Sequence, residues 1–117
     1  MDTVHRVTTA EGGLLLDQLR FARSIRTRTK GLLGRRQLAP GEGLAFREKS
    51  IHMFFMRMPL DIVFCDAGLR VLKVVPELAP WRIAACAQAR YVLEIGPGEA
   101  RRLALEAGTV LAVEPPL

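Results

Sequence analysis

Leu60-Asp61-Ile62-Val63-Phe64-Cys65-Asp66-Ala67-Gly68-Leu69-Arg70-Val71-Leu72-Lys73-Val74-Val75 is the stretch on which the fold class turns. Two runs rich in β-branched and apolar residues flank Asp66-Ala67-Gly68, a tight-turn sequence, so the segment reads as a hairpin with 60–65 going out and 69–75 returning. Upstream, Pro59 closes Ile51-His52-Met53-Phe54-Phe55, and Leu44-Ala45-Phe46 follows the turn residues Ala39-Pro40-Gly41-Glu42-Gly43; both apolar pieces read as strands. Downstream, Tyr91-Val92-Leu93-Glu94-Ile95 is a further strand, ended by Gly96-Pro97-Gly98. Residues 4–8 open the chain as a strand. Residues 14–19 fit either a strand or the approach to a helix, because Leu14, Leu15, Leu16 and Leu19 satisfy both periods.

Two helices complete the reading. Ser24 is placed to cap one that runs to about Leu33, with Gly34 in the left-handed position past its end. The second has Pro97 near its first turn, Glu99 where the dipole favours an anion, Ala100, Leu103, Ala104 and Ala107 on one face, and Gly108 as its stop. Thr109 to Val113 returns as the last strand. Strands joined by tight turns outnumber helices. The expected architecture is therefore α+β and mostly β: an antiparallel curled sheet, or a small barrel or sandwich, with two short helices.

At 117 residues, half of them hydrophobic and a quarter charged, the chain has the material of one domain, 1–117, and not of a disordered or fibrous protein. No apolar run approaches the roughly 20 residues of a membrane span. Leu14-Leu15-Leu16 is stopped at once by Asp17, too short for a signal-peptide core, so a cytoplasmic location is expected and Cys65 and Cys86 are read as reduced, small apolar side chains. Neither cysteine has zinc-site spacing, and no metal or cofactor is called for.

The net charge of +5 invites a nucleic-acid reading. The skew of the 17 basic residues towards arginine, with only Lys30, Lys49 and Lys73 as lysines, is what a GC-rich genome yields without functional pressure. The densest cluster, Arg20, Arg23, Arg26, Arg28, Lys30, Arg35 and Arg36, has only Phe21 as an aromatic within it, and a single-strand binder interleaves more. The sequence thus argues against a nucleic-acid partner.

The segment with chemical content is His52-Met53-Phe54-Phe55-Met56-Arg57-Met58-Pro59-Leu60-Asp61. Asp61 sits inside an apolar strand, where a lone carboxylate costs several kcal/mol unless donors meet it. It is read either as an anchor that bonds loop amides or pairs with Arg57, or as part of a cleft with His52 and Arg57. Met53, Met56 and Met58 are read as core filling. Trp81 is read as a partly exposed lid, with Arg82 beside it, and Glu94 as meeting water or pairing across the sheet.

Several ordered elements together resemble the bacterial and archaeal "domain of unknown function 192" family. They are Lys30-Gly31-Leu32-Leu33-Gly34-Arg35, Gly43-Leu44-Ala45-Phe46, the Ile51 to Asp61 stretch, Pro80-Trp81-Arg82, and Tyr91-Val92-Leu93-Glu94-Ile95-Gly96-Pro97-Gly98. The likeness runs from about residue 14 to 113 and falls on the shorter His-x-Phe-x-Met-Arg form of the pattern. It implies a small, mostly β fold and no particular activity.

The sequence is compatible with four functions. The favoured one is a non-catalytic domain that binds a small, anionic ligand or a protein partner, with Arg57, Arg82 and Arg26 as donors, Trp81 and Phe55 as apolar walls, and His52 and Asp61 in the same cleft. The candidate site is thus His52, Phe55, Arg57, Asp61, Trp81 and Arg82. The alternatives are a small hydrolase or lyase using Asp61 and His52, with Cys65 about 13 Å from Asp61 along the strand, a nucleic-acid binder using residues 20–36, and an assembly role. Monomer and homodimer are both compatible with the pattern.

Overall fold

The computed structural model describes residues 3–22 and 38–117. The strands are β1 (Val4–Thr9), β2 (Leu14–Phe21), β3 (Glu42–Phe46), β4 (Ser50–His52), β5 (Leu60–Cys65), β6 (Val71–Leu78), β7 (Ile83–Ala85), β8 (Tyr91–Ile95) and β9 (Leu111–Glu114), with one helical turn, α1 (Glu99–Arg102). All six residues of β5 are buried, as a run that is apolar but for Asp61 is when both faces of its sheet are covered. It pairs antiparallel with β6 and β8. Seven strands form one sheet in the order β6-β5-β8-β3-β2-β1-β9, and β4 and β7 form a separate two-stranded ribbon.

Three expectations are corrected. The sheet is not wholly antiparallel: β2 and β3 run parallel, Gln18 to Phe21 beside Glu42 to Ala45. The sheet curls but does not close as a barrel. Its two edge strands approach only at one end, where Arg70 and Val110 form an isolated bridge and the Leu111 N–H donates to the Leu69 carbonyl at 3.0 Å. Finally, a single short helix is present among the described residues; the helix expected at 24–33 lies outside them.

The expected helix over 97–107 is only one turn, for a local reason. Ala104 takes the left-handed conformation, its N–H bonds the Arg101 carbonyl at 3.1 Å, and the Leu105 N–H reaches the Ala100 carbonyl at 2.8 Å. These two bonds are a Schellman termination, with alanine where glycine is usual. Leu105 is thereby turned into the core beside Ala100, and burying that leucine outweighs continuing the helix.

The concave side of the sheet holds Val7, Leu16, Leu19, Ala45, Val63, Cys65, Val71, Leu93, Ile95, Leu111 and Val113, so all seven strands contribute, and Ala100 and Leu105 close it. The convex side carries Ile62, Phe64 and Val92, covered by Ile51, Met53, Met56 and Met58. The three methionines are core, as expected, but pack outside the curl and not within it. Glu94 is fully buried between Leu44 and Ile62 in the register, so it does not meet water. Gly43 is closely packed: a Cβ there would stand 3.1 Å from the Glu94 carbonyl oxygen and 3.1 Å from Ile95 Cγ2, so these neighbours would have to give by a few tenths of an ångström. Among the described residues no helix is long and apolar enough to cross a membrane.

Candidate functional site

The ribbon's free end is built by alternation in the segment after β4. Met53, Met56 and Met58 are buried, while Phe54, Phe55 and Arg57 are exposed. The methionines tether the loop to the convex core and leave the residues between them no inward position. The backbone is fixed by four bonds: Met53 N–H to Arg82 O at 2.8 Å, Trp81 N–H to Met53 O at 2.8 Å, Met56 N–H to Met53 O at 3.3 Å, and Arg82 N–H to Ala79 O at 3.2 Å. They extend the β4–β7 pairing and bring residues 53–55 against 81–82.

This lock sets out a row of rings. His52 stacks on Phe54 with centroids 4.5 Å apart, Phe54 on Trp81 at 5.7 Å, and Phe55 meets Trp81 at 4.8 Å with the planes tilted by 59°. Phe55 is 65% exposed, Trp81 58% and Ile83 63%. Both Phe55 (φ 65°) and Trp81 (φ 70°) are in the left-handed region, which costs a bulky side chain of order 1 kcal/mol or more each. His52 Nδ1 accepts the Phe54 N–H at 3.3 Å, so that nitrogen is occupied by the loop's own backbone.

Five of the six expected site residues, His52, Phe55, Arg57, Trp81 and Arg82, belong to this tip, where Arg57 and Arg82 are exposed. Asp61 does not join them. It pairs in register with Ile95, whose side chain lies in the concave core, whereas the ribbon covers the convex side. The sheet therefore separates Asp61 from His52. The expected pair with Arg57 is also absent: Asp61 Oδ1 accepts the Glu77 N–H at 2.8 Å and Oδ2 the Ala100 N–H at 2.9 Å. The anchor reading, with backbone amides as partners, describes what this carboxylate does.

The cause is a bulge. Leu60 pairs with Leu78 and Ile62 with Val75, so Asp61 alone faces Pro76 and Glu77. Pro76 has no N–H, and the Glu77 N–H, at φ 49°, is left without a ladder partner. Asp61 meets that donor and one in the first turn of α1. Burial, with Asp66 adding to it, pushes the Cys65 thiol up to about 12, which leaves it an apolar filler and not a nucleophile near neutrality. Among the described residues, no three histidine, cysteine or acidic side chains are grouped to hold a metal ion.

Phe54 and Ile83 are the members of the tip that the sequence reading passed over. Phe54 lies in the stretch taken for a strand. Ile83 opens β7, whose Ile-Ala-Ala sequence carries too little strand signal to stand out.

The same fold occurs in solved relatives. A protein of unknown function from Novosphingobium aromaticivorans superposes with a TM-score of 0.77 at 27% identity, over 95% of this chain and 84% of that one. A "putative transcription regulator" from Sinorhizobium meliloti does so with a TM-score of 0.78 at 28% identity, over 93% and 91%. The UPF0127 protein PH1112 of Pyrococcus horikoshii is 49% identical over 49 residues, which is 41% of this chain and 41% of that relative's length. Residues 6–113 match the model of a family described as uncharacterized ACR, and the chain belongs to that family, DUF192.

Proposed function

We propose that this protein is a non-catalytic binding domain whose working surface is the aromatic tip of the β4–β7 ribbon, and that it takes a small ligand with a flat apolar face and an anionic group. The observation that carries the reading is the pair Phe55 and Trp81: both are largely in water and both are held at positive φ. Each feature opposes folding. Strained, exposed aromatics are retained where the surface is used for something other than stability. The row His52, Phe54, Trp81 offers ring faces for stacking, and Arg57 and Arg82 supply guanidinium forks at its border, suited to a carboxylate or phosphate.

A hydrolytic role finds less support. Asp61 has both oxygens committed to backbone amides, and His52 has one ring nitrogen committed likewise.

Trp81 is the only tryptophan in the chain, so its emission reports on this surface alone. The test is a fluorescence titration with planar anions, for example mononucleotides, aryl carboxylates and uronic acids. At least one should shift Trp81 emission saturably, and Phe55→Ala and Arg57→Gln should each weaken that binding by about tenfold, worth about 1.4 kcal/mol. A panel without a saturable response, or binding that is indifferent to both variants, overturns the reading.

A further inference from the structure

At the other end of the same ribbon is a second, unrelated arrangement. Arg47, Glu48, Lys49, Ser50, Ala89 and Arg90 line a shallow groove of about 450 Å³, the size range of small-molecule sites. Three cations face one carboxylate there. Among the described residues, Arg47, Lys49 and Arg90 form no ion pair; Arg47 lies with its guanidinium carbon 5.8 Å from the Tyr91 ring centroid. Lys73 donates to the Ala85 carbonyl at 3.0 Å, and Ala85 is the register partner of Ser50, so a fourth positive charge stands beside the groove.

The cations stand on fixed backbone. Arg47 directly follows β3, the Lys49 carbonyl accepts the Cys86 N–H at 2.8 Å, and the Arg90 N–H donates to the Cys65 carbonyl at 2.7 Å. Like charges gathered on rigid supports, three against the single carboxylate of Glu48 and none of them ion-paired among the described residues, raise the energy of the empty site and favour an anion that fills it. Arginine forks and a hydroxyl match the oxygens of a phosphoryl group.

We propose that the groove of Arg47, Lys49, Ser50 and Arg90 binds the phosphoryl group of a small phosphorylated molecule. The site is separate from the aromatic tip and does not depend on that reading.

The test is calorimetric titration of the full chain with inorganic pyrophosphate and, separately, with a hexose monophosphate, at low salt. Arg47→Gln, Lys49→Gln and Arg90→Gln are compared with Arg101→Gln, an exposed cation on α1 that removes the same charge elsewhere. All four positions are exposed, so the variants should fold, and circular dichroism checks this. Each groove variant should weaken binding by about tenfold or more while Arg101→Gln stays within about twofold of the parent. Equal affinity for both ligands assigns recognition to the phosphoryl group alone, and tighter binding of the sugar phosphate adds the organic part; both support the site. Absence of binding, or equal weakening by Arg101→Gln, which makes the effect one of net charge, overturns it.

Discussion

Replacing Asp61 by asparagine changes almost no volume and isolates the work its charge does. The carboxylate is fully buried and accepts two backbone N–H groups, from Glu77 at 2.8 Å and Ala100 at 2.9 Å. Asparagine has one acceptor oxygen. Whichever amide it keeps is now bonded to a neutral group, and its own NH₂ faces the other N–H, donor against donor. A hydrogen bond to a charged group contributes about 1.5–3 kcal/mol and a buried donor left unmet costs about 1–3 kcal/mol. Removing a buried charge recovers part of this, so the net expected loss is about 3 kcal/mol, a large share of the 5–15 kcal/mol typical of a domain. Urea unfolding followed by circular dichroism measures it, with the slope of free energy against urea unchanged if the unfolded state is the same. Arg57→Gln is the companion variant, expected within about 0.5 kcal/mol of the parent because its side chain is exposed. A loss below about 1 kcal/mol for Asp61→Asn would refute the anchoring argument. Equal losses for the two variants would restore the Arg57 pair in its place.

Two other predictions concern stability and thiol chemistry. Ala104, left-handed at φ 55° in the Schellman termination of α1, should become more favourable as glycine: Ala104→Gly is expected to gain about 0.5–1 kcal/mol in the same urea assay. The Cys65 thiol is raised from 9.0 to about 12 in the folded chain, so the folded state keeps a proton that the unfolded state has released; the associated stability is complete below pH 9 and is lost as pH rises towards 12. Iodoacetamide near pH 8 should accordingly modify Cys86, which is partly exposed, and reach Cys65 only in denaturant, and mass spectrometry of the labelled peptides checks this.

The parts of the fold legible in the sequence were those with a local cause. β8 coincides with the strand expected at 91–95 and β5 with the one at 60–65, and β6, at 71–78, overlaps the return expected at 69–75, because alternation and turn chemistry act between neighbours. What could not be read were the choices made by distant groups. The parallel pairing of β2 with β3 depends on a crossover, and neither strand encodes its neighbour's direction. The helix at 97–107 had good signals, yet Leu105 had a core position waiting for it, set by strands far away in sequence. The bulge opposite Asp61 is hinted at only by Pro76, within a run otherwise suited to a strand.

The candidate site divides along the same line. Five of the six candidates lie on one tip because the ribbon brings the chemically rich 52–57 motif and the Pro80-Trp81-Arg82 triplet together. Asp61 was included because a carboxylate in an apolar strand demands partners, a sound inference that names no partner. Sequence proximity suggested Arg57, four residues away. But successive residues of a strand face opposite sides, and the turn between Arg57 and β5 gives no reason for the two side chains to share a face. The donors that a buried carboxylate needs were instead created by the fold, one by the bulge and one by the opening of α1. Buried acidic residues in strands are better assigned by asking which backbone amides the topology strands nearby than by looking for the nearest basic side chain. By that criterion Asp61 belongs to the scaffold, and the exposed, strained aromatics that the scaffold holds out are where binding should be sought.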